Sequence, residues 1–520
     1  MKKSLIPTIL LSFSLTACIN EGEDNNANPQ NTYVPPETGV AANLKSSEYN
    51  SLDTLQKYQV VNKLLGTFYK GMPARDFLEF KTGASEPTLE ITENYIETIR
   101  AKLNTPTENY SEIIEATDAK YFVDSNGNPR WNPMEMPLTY MFELPLSEEF
   151  FDFWIAYQLS NTILFSPAVE LDSADETDVE SVYNNLFAWM RADLSVREIV
   201  YLHMNTEENW RRFRSPEDNV REMMEIYLQR FKDDEVPKAS IACKNWYLTD
   251  DSENYQLIKT VNINQDPQTL LDTNDIVTCE DFYKELSEHP TLIPAITGRI
   301  VDYMLPYSSQ ETRSELTNAI AASSPRTFRD IFTALVFSKT YLYDEEKVLR
   351  FEETFFNIAN RINWYAWYRY FDTLNRNDSG ASSNRRNLGQ MKQKALTYKL
   401  GRTNQVPSDT LSMAFYQGAV RSSLFLDRRR STDPERTDDG GWVPYLFLLN
   451  EEVLPLTTEE QLDYLFISVL TRQPTQSEKD TLLPIIEDRE IEDRALIVFD
   501  YFSRLPELYL FKAINIGGNA

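Results

Sequence analysis

Histidine is almost missing from this chain: His203 and His289 are the only two in 520 residues. Zinc clusters of the usual His/Cys kind are hard to build from so few imidazoles. No Gly-x-Ser-x-Gly elbow, Walker loop, glycine-rich dinucleotide loop or His-Glu-x-x-His occurs. His203 follows the apolar stretch 199–202 and His289 precedes Pro290 at a helix start, so both read as structural. Glycine is also scarce, with 15 residues, and alternating apolar runs are few, which argues against an all-β or Rossmann body. Basic residues number 51 against 80 acidic ones, and a formal charge of −29 argues against nucleic acid as a general partner. Past residue 17 no apolar run reaches membrane-spanning length. Only three cysteines occur, with no Cys-x-x-Cys for haem or a zinc knuckle. No cofactor and no metal is expected.

What is present begins with an address. Lys2 and Lys3 precede a largely apolar run from Leu5 to Leu15, then Leu15-Thr16-Ala17-Cys18. That is the layout of a bacterial secretory signal, and the small residues before Cys18 resemble the lipobox of exported lipoproteins, where the cysteine is lipidated and becomes the first mature residue. Removal of residues 1–17 moves the formal charge from −29 to −31. Ile19 departs from the aspartate that usually retains lipoproteins at the inner membrane, so the outer membrane is expected. Cys243 and Cys279 are then an even pair in an oxidising compartment; a bridge would stabilise by roughly 3–4 kcal/mol in the loop-entropy model.

With 42% apolar residues the chain can bury large cores. The expected layout is a signal (1–17), a lipidated flexible tether (18–46) spanning roughly 30 Å, an N-terminal helical region (47–185), a central helical domain (186–372) and a C-terminal helical region (373–520). Breaks are expected near 124–137, 232–256, 374–388 and 430–444, where turn formers or charges cluster. The fold class is mostly α: a large multi-helix body with irregular loops behind a disordered N-terminal tether.

Helix signals support this. Ser215-Pro216-Glu217-Asp218 precedes Val220, Met223, Met224, Tyr227, Leu228 and Phe231, a capped start followed by a 3-1-3-1-3 apolar spacing. Similar starts are read at Ser324-Pro325 and at Thr458 with Gln461, and Thr475 pairs with Glu478. Three segments resemble one another: Arg197-Glu-Ile-Val, Arg329-Asp-Ile-Phe and Arg494-Ala-Leu-Ile. Each has a hydroxyl nine residues on (Thr206, Ser338, Ser503) and an aromatic beyond (Trp210, Tyr341, Tyr509). Duplicated helical hairpins and chance similarity both account for this.

At Asn219, Arg221, Glu222 and Glu225, followed by Trp246, His289-Pro290 and the run from Arg329 to Tyr341, the chain resembles a large family of exported helical proteins, domain of unknown function 1800. The run from Tyr464 through Arg472-Gln-Pro-Thr475 to Glu478 is similar to the closing helices of related exported domains. Val220 replaces the usual alanine, and Lys244-Asn245-Trp246 stands where the family has Thr-Gly-Trp. The resemblance implies a partner, an exported phosphatase-superfamily-like protein, and brings no established reaction.

Four constellations are candidates for function. Asn219, Arg221, Glu222 and Glu225 read either as a polar network, with Arg221 pairing Glu225 four residues on, or as carboxylates serving as acid and base or gripping calcium. Asp124, Asn126, Asn128 and Glu135 fit a calcium-loop register that fails at its sixth position, Pro129. Between Arg385 and Arg430 ten Lys/Arg face only Asp409 and Asp427, ending in Arg428-Arg429-Arg430. Upstream lies an aromatic run from Arg361 with Trp364, Tyr365, Trp367 and Arg369. Aromatic faces beside guanidinium groups stack sugars or cations and pair acidic groups; the same aromatics equally suit a core. The leading reading is a membrane-anchored lipoprotein, held in the bilayer through Cys18, that binds or scaffolds an exported partner through the Arg361–Arg430 region without catalysis. Alternatives are a glycan-binding outer-membrane lipoprotein, with Trp364 or Trp367 as platform, and a hydrolase using Glu222 and Glu225.

Overall fold

Short polar residues set one position ahead of an apolar period start most of the helices. The computed structural model describes residues 33–72, 94–122, 136–165, 176–229, 232–249, 255–260, 266–361 and 456–514. In chain order these hold α1 (Ser46–Asn50), α2 (Thr54–Thr67), α3 (Tyr95–Lys102), α4 (Tyr110–Tyr121), α5 (Met136–Glu143), α6 (Glu148–Ser160) and α7 (Glu176–Arg191). There follow α8 (Val196–Met204), α9 (Glu207–Arg212), α10 (Pro216–Leu228), α11 (Glu235–Ala242), α12 (Cys279–Glu288), α13 (Leu292–Met304), α14 (Gln310–Ala322), α15 (Phe328–Val336) and α16 (Phe351–Arg361). The last are α17 (Thr458–Leu470), α18 (Gln476–Ile486) and α19 (Ile491–Phe502). Strands are short and paired antiparallel: β1 (Trp246–Leu248) with β2 (Leu257–Lys259), β3 (Gln268–Leu270) with β4 (Thr273–Ile276), and β5 (Lys347–Val348) with β6 (Leu510–Phe511). The fold is mostly α.

Caps account for the boundaries. Ser215 accepts from Asp218 N with Pro216 in the first turn of α10, and Thr475 with Glu478 forms a full capping box on α18, both as expected. Two starts differ. Thr457 with Glu460 caps α17, one residue before the expected pair, because the hydroxyl three residues ahead of a carboxylate closes the reciprocal bonds. The helix expected from Ser324-Pro325 starts at Phe328, capped by Thr327 with Asp330. Ser324 adopts a left-handed φ of 56° that ends the preceding helix.

The core gathers around Trp154 of α6. Its ring meets Phe68 edge-on at 5.0 Å and Phe332 at 5.2 Å, and its Nε1 donates to Thr67 O at 2.8 Å, satisfying a terminal carbonyl of α2. Asp152, fully buried two residues earlier, accepts two bonds from Arg329 and so ties α15 to α6. The tether expected through residue 46 gives way sooner: Ala41, Ala42 and Leu44 are buried. Leu44 N donates to Phe337 O and Lys339 N to Ala42 O, both at 2.9 Å, so this stretch lies along the end of α15. The breaks near 374–388 and 430–444, and most of 124–137, lie outside the described residues. The 232–256 stretch contains α11 and β1.

Cys243 and Cys279 form a disulfide between the end of α11 and the start of α12, enclosing both β1–β2 and β3–β4. The three similar segments share a local geometry. Thr206, Ser338 and Ser503 each donate a hydroxyl to the carbonyl three residues earlier (His203, Leu335 and Asp500), at 2.9, 2.7 and 2.7 Å. A short helical segment follows each: α9, a π turn at Thr340–Asp344, and a 3-10 turn at Pro506–Tyr509. Each turn buries its aromatic, Trp210, Tyr341 or Tyr509. The sequence similarity therefore has a structural counterpart: helix, hydroxyl-closed reversal, buried ring.

Candidate functional site

On α10 the residues of the family-like motif point in different directions. Asn219 is buried, and its Oδ1 accepts from Tyr283 OH at 2.6 Å, joining α10 to α12. Arg221 is half-buried and pairs with Glu217 at 3.0 Å, one turn back, rather than with Glu225 as expected. The reason is directional: helical side chains lean toward the N-terminus, so an acid four residues before the arginine meets it best. Glu222 is half-buried and Glu225 exposed. Neither lines the cavity described below.

The remaining motif residues are structural ties. Trp246 packs against Trp210 and Tyr283, with the Lys259 ammonium 4.1 Å over its ring. His203 is buried edge-on to Phe165; burial, with the Arg212 charge adding, pushes its pKa down to about 3, so the imidazole is neutral. His289 closes α12, its Nδ1 accepting from Thr291 N at 3.1 Å. The arginines of the three similar segments also join elements. Arg197 donates to Ser287 O and His289 O, Arg329 to Asp152 and Glu148, and Arg494 to Gln461.

A cavity of about 360 Å³ lies between α2, α16, the end of α17 and the segment around β6. That volume falls in the range of small-molecule sites. Gly66 sets the approach of its walls: a Cβ there would sit 2.0 Å from Asn357 Nδ2 and 2.3 Å from Phe511 Cζ, so glycine alone lets α2 pack this closely on α16. Asn357 Nδ2 donates to Asn62 O at 3.0 Å across that contact. The floor is the carbonyl end of α17. Gln59 Nε2 donates to Thr471 O at 3.0 Å, and Arg361 Nη1 to Val469 O at 2.9 Å and Ser468 O at 3.3 Å. Cations there complement the negative end of the helix dipole. Thr471 itself holds a left-handed φ of 57°, rare for a β-branched residue. At the rim Arg472 binds Glu478 and Glu507, and Lys512 binds Glu507 at 2.7 Å. This explains the family-like Arg472 and Glu478 as a clamp holding the chain end against α17 and α18.

Burial governs the charges around the cavity. Arg361 is only 3% exposed, and burial lowers its pKa to about 10. The expectation that a contact surface begins at Arg361 is therefore corrected: this residue is buried and its Nη1 ties α16 to the terminal carbonyls of α17. Lys63, also buried, donates to Glu345 O at 2.6 Å; burial, with the Lys347 charge adding, lowers it to about 7. Beyond it Glu353 accepts from Lys347 and from Arg350 at 3.3 Å, and all three are buried. Sequence reasoning missed Lys63, Asn357 and Arg361 as cavity residues; the only local signal was Gly66, a lone glycine inside a helical period.

Cys18, the loop 124–135, the aromatic residues Trp364, Tyr365 and Trp367, and Arg369, Arg428, Arg429 and Arg430 lie outside the described residues. Among the described residues no helix is long and apolar enough to cross a membrane, and no group of three or more His, Cys, Asp or Glu is placed to hold a metal ion. No family model, curated protein or solved structure matches the chain.

Proposed function

We propose that the chain is a cell-envelope lipoprotein, anchored in the outer membrane through a lipidated Cys18, that serves as a binding or scaffold component for an exported protein. The observation that carries the binding half is the fate of the polar motif on α10. Asn219 is locked to Tyr283 and Arg221 to Glu217, while Glu222 and Glu225 lie away from the cavity. Asn219 thus serves helix packing and Arg221 an intrahelical pair, which favours recognition over carboxylate chemistry at this motif. The Cys243–Cys279 disulfide supports export, because such bonds persist in oxidising compartments. The family resemblance suggests a phosphatase-superfamily-like partner, and the basic stretch 385–430 supplies charge to meet an acidic face.

A native pull-down from solubilised membranes tests this, comparing the wild type with a variant carrying Arg428→Glu, Arg429→Glu and Arg430→Glu. A co-eluting exported protein that is lost on reversal supports the reading. If nothing co-elutes with either form, the partner role is withdrawn, and binding of glycans to Trp364→Ala and Trp367→Ala variants becomes the next measurement.

A further inference from the structure

Among the charged side chains lining the cavity are four cations, Lys63, Arg361, Arg472 and Lys512, and one carboxylate, Glu507. In a chain of formal charge −29 this is a local inversion of sign. Arg472 and Lys512 are answered by Glu507 and Glu478 at the rim. Lys63 makes no ion pair but lies in the field of Glu345, Asp344 and Glu346, whereas Arg361 gives its hydrogen bonds to backbone carbonyls and has no carboxylate partner among the described residues. Buried cations ordinarily acquire a counter-charge, because desolvation without one is costly.

The Arg361 guanidinium directs the choice of ligand. Nη1 holds the α17 carbonyls, and Nε is sealed from solvent without a partner. Nη2 has no hydrogen-bond partner among the described residues, on a side chain that lines the cavity. A guanidinium N–H next to an anion makes a charge-assisted bond about twice as strong as a neutral one. The lining also includes the apolar side chains of Leu349, Ile358 and Ile514.

We propose that this cavity binds a small organic carboxylate, its anionic head on Arg361 and its apolar body along Leu349, Ile358 and Ile514. The inference is independent of the scaffold reading, whose surface lies elsewhere in the chain. Ala513 lines the cavity and is exposed, so a large side chain there is expected to obstruct the site without disturbing the core.

The test is calorimetric titration of the full chain in detergent with hexanoate and with hexanamide, its uncharged counterpart, against a detergent-only blank. Hexanoate is expected to bind at least about tenfold more tightly than hexanamide, since one charge-assisted bond exceeds 1.4 kcal/mol. Ala513→Trp is expected to weaken hexanoate at least tenfold, and Arg361→Met to abolish the preference for the acid. Should Arg361→Met fail to fold, the ligand pair and Ala513→Trp still decide. Equal affinity for acid and amide, no heat with hexanoate at millimolar concentration, or unchanged affinity in Ala513→Trp each overturns the proposal.

Discussion

Glu353 shows how much can hang on one side chain. It is the carboxylate shared by Lys347 and Arg350, its Oε2 also accepts from Arg350 N at 2.9 Å, and it is fully buried. Arg350 continues the network, donating to Tyr303 O at 2.6 Å with its guanidinium 3.9 Å over the Tyr303 ring. Replacing one partner of such a set leaves the others charged and unanswered, which costs about 3–5 kcal/mol. Glu353→Gln is therefore expected to lower the unfolding free energy from urea titration by that amount. The double variant Lys347→Met/Glu353→Gln is expected to recover part of the loss, because one cation goes with the anion. A Glu353→Gln unfolding free energy within about 1 kcal/mol of wild type, well below the range above, rejects this account of the network.

At the scale of elements, the disulfide and the capping boxes do separate work. The Cys243–Cys279 bond spans 36 residues of sequence and encloses two small hairpins that have little core of their own. Two-stranded hairpins are marginal in isolation, so the cross-link and the packing of α11 on β3 hold the excursion in place. The double variant Cys243→Ser/Cys279→Ser is expected to lose about 3–4 kcal/mol by the loop-entropy argument. The expected signature is new protease cleavage within residues 244–278, with little change elsewhere. Cleavage spread evenly over the chain would show instead that the bond supports the whole body. The recurring hairpin was half legible in sequence: arginine, hydroxyl and aromatic repeat at fixed offsets, but the carbonyl each hydroxyl meets is known only from the fold.

For the whole molecule, buried lysines set a pH response. Burial lowers Lys63 and Lys70 to about 7 and Lys347 to about 8. Lys70 gives its ammonium to the carbonyls of Met141, Phe142 and Leu144. Unfolded, these lysines titrate near 10.4. Between pH 7 and 10 the unfolded chain thus binds more protons than the folded one, and stability rises with pH. Burial raises Tyr121, Tyr183 and Tyr283 well above the ordinary phenol range, so above pH 10 the unfolded chain loses protons first and stability falls. On the acid side the Arg472 guanidinium holds Glu478 at about 2, a contribution lost as pH falls below the ordinary glutamate range toward 2. Denaturation midpoints measured from pH 6 to 11 are expected to peak near pH 10. A steady fall above pH 7 would mean that the buried lysines do not titrate as their surroundings require.

Much of the body was legible in the sequence because its determinants are local. Scarce glycine, amphipathic spacing and Ser/Thr/Asp caps make a mostly helical chain, and Ser215-Pro216 and Thr475-Glu478 start helices where their bonding demands. The even pair Cys243 and Cys279 bonds as the count implied. What only the tertiary structure decided is which charges are buried and what they meet. Arg361 reads in sequence as the start of a basic, aromatic surface, yet it closes a helix end beside a cavity. Arg221 has acids four residues away on both sides, and side-chain direction selects Glu217. The cavity joins residues 56–63, 349–361 and 469–514, and no local pattern announces it. Helix formation is governed by neighbours a few residues apart; burial, and with it charge state and binding, is governed by segments that meet only when the chain folds.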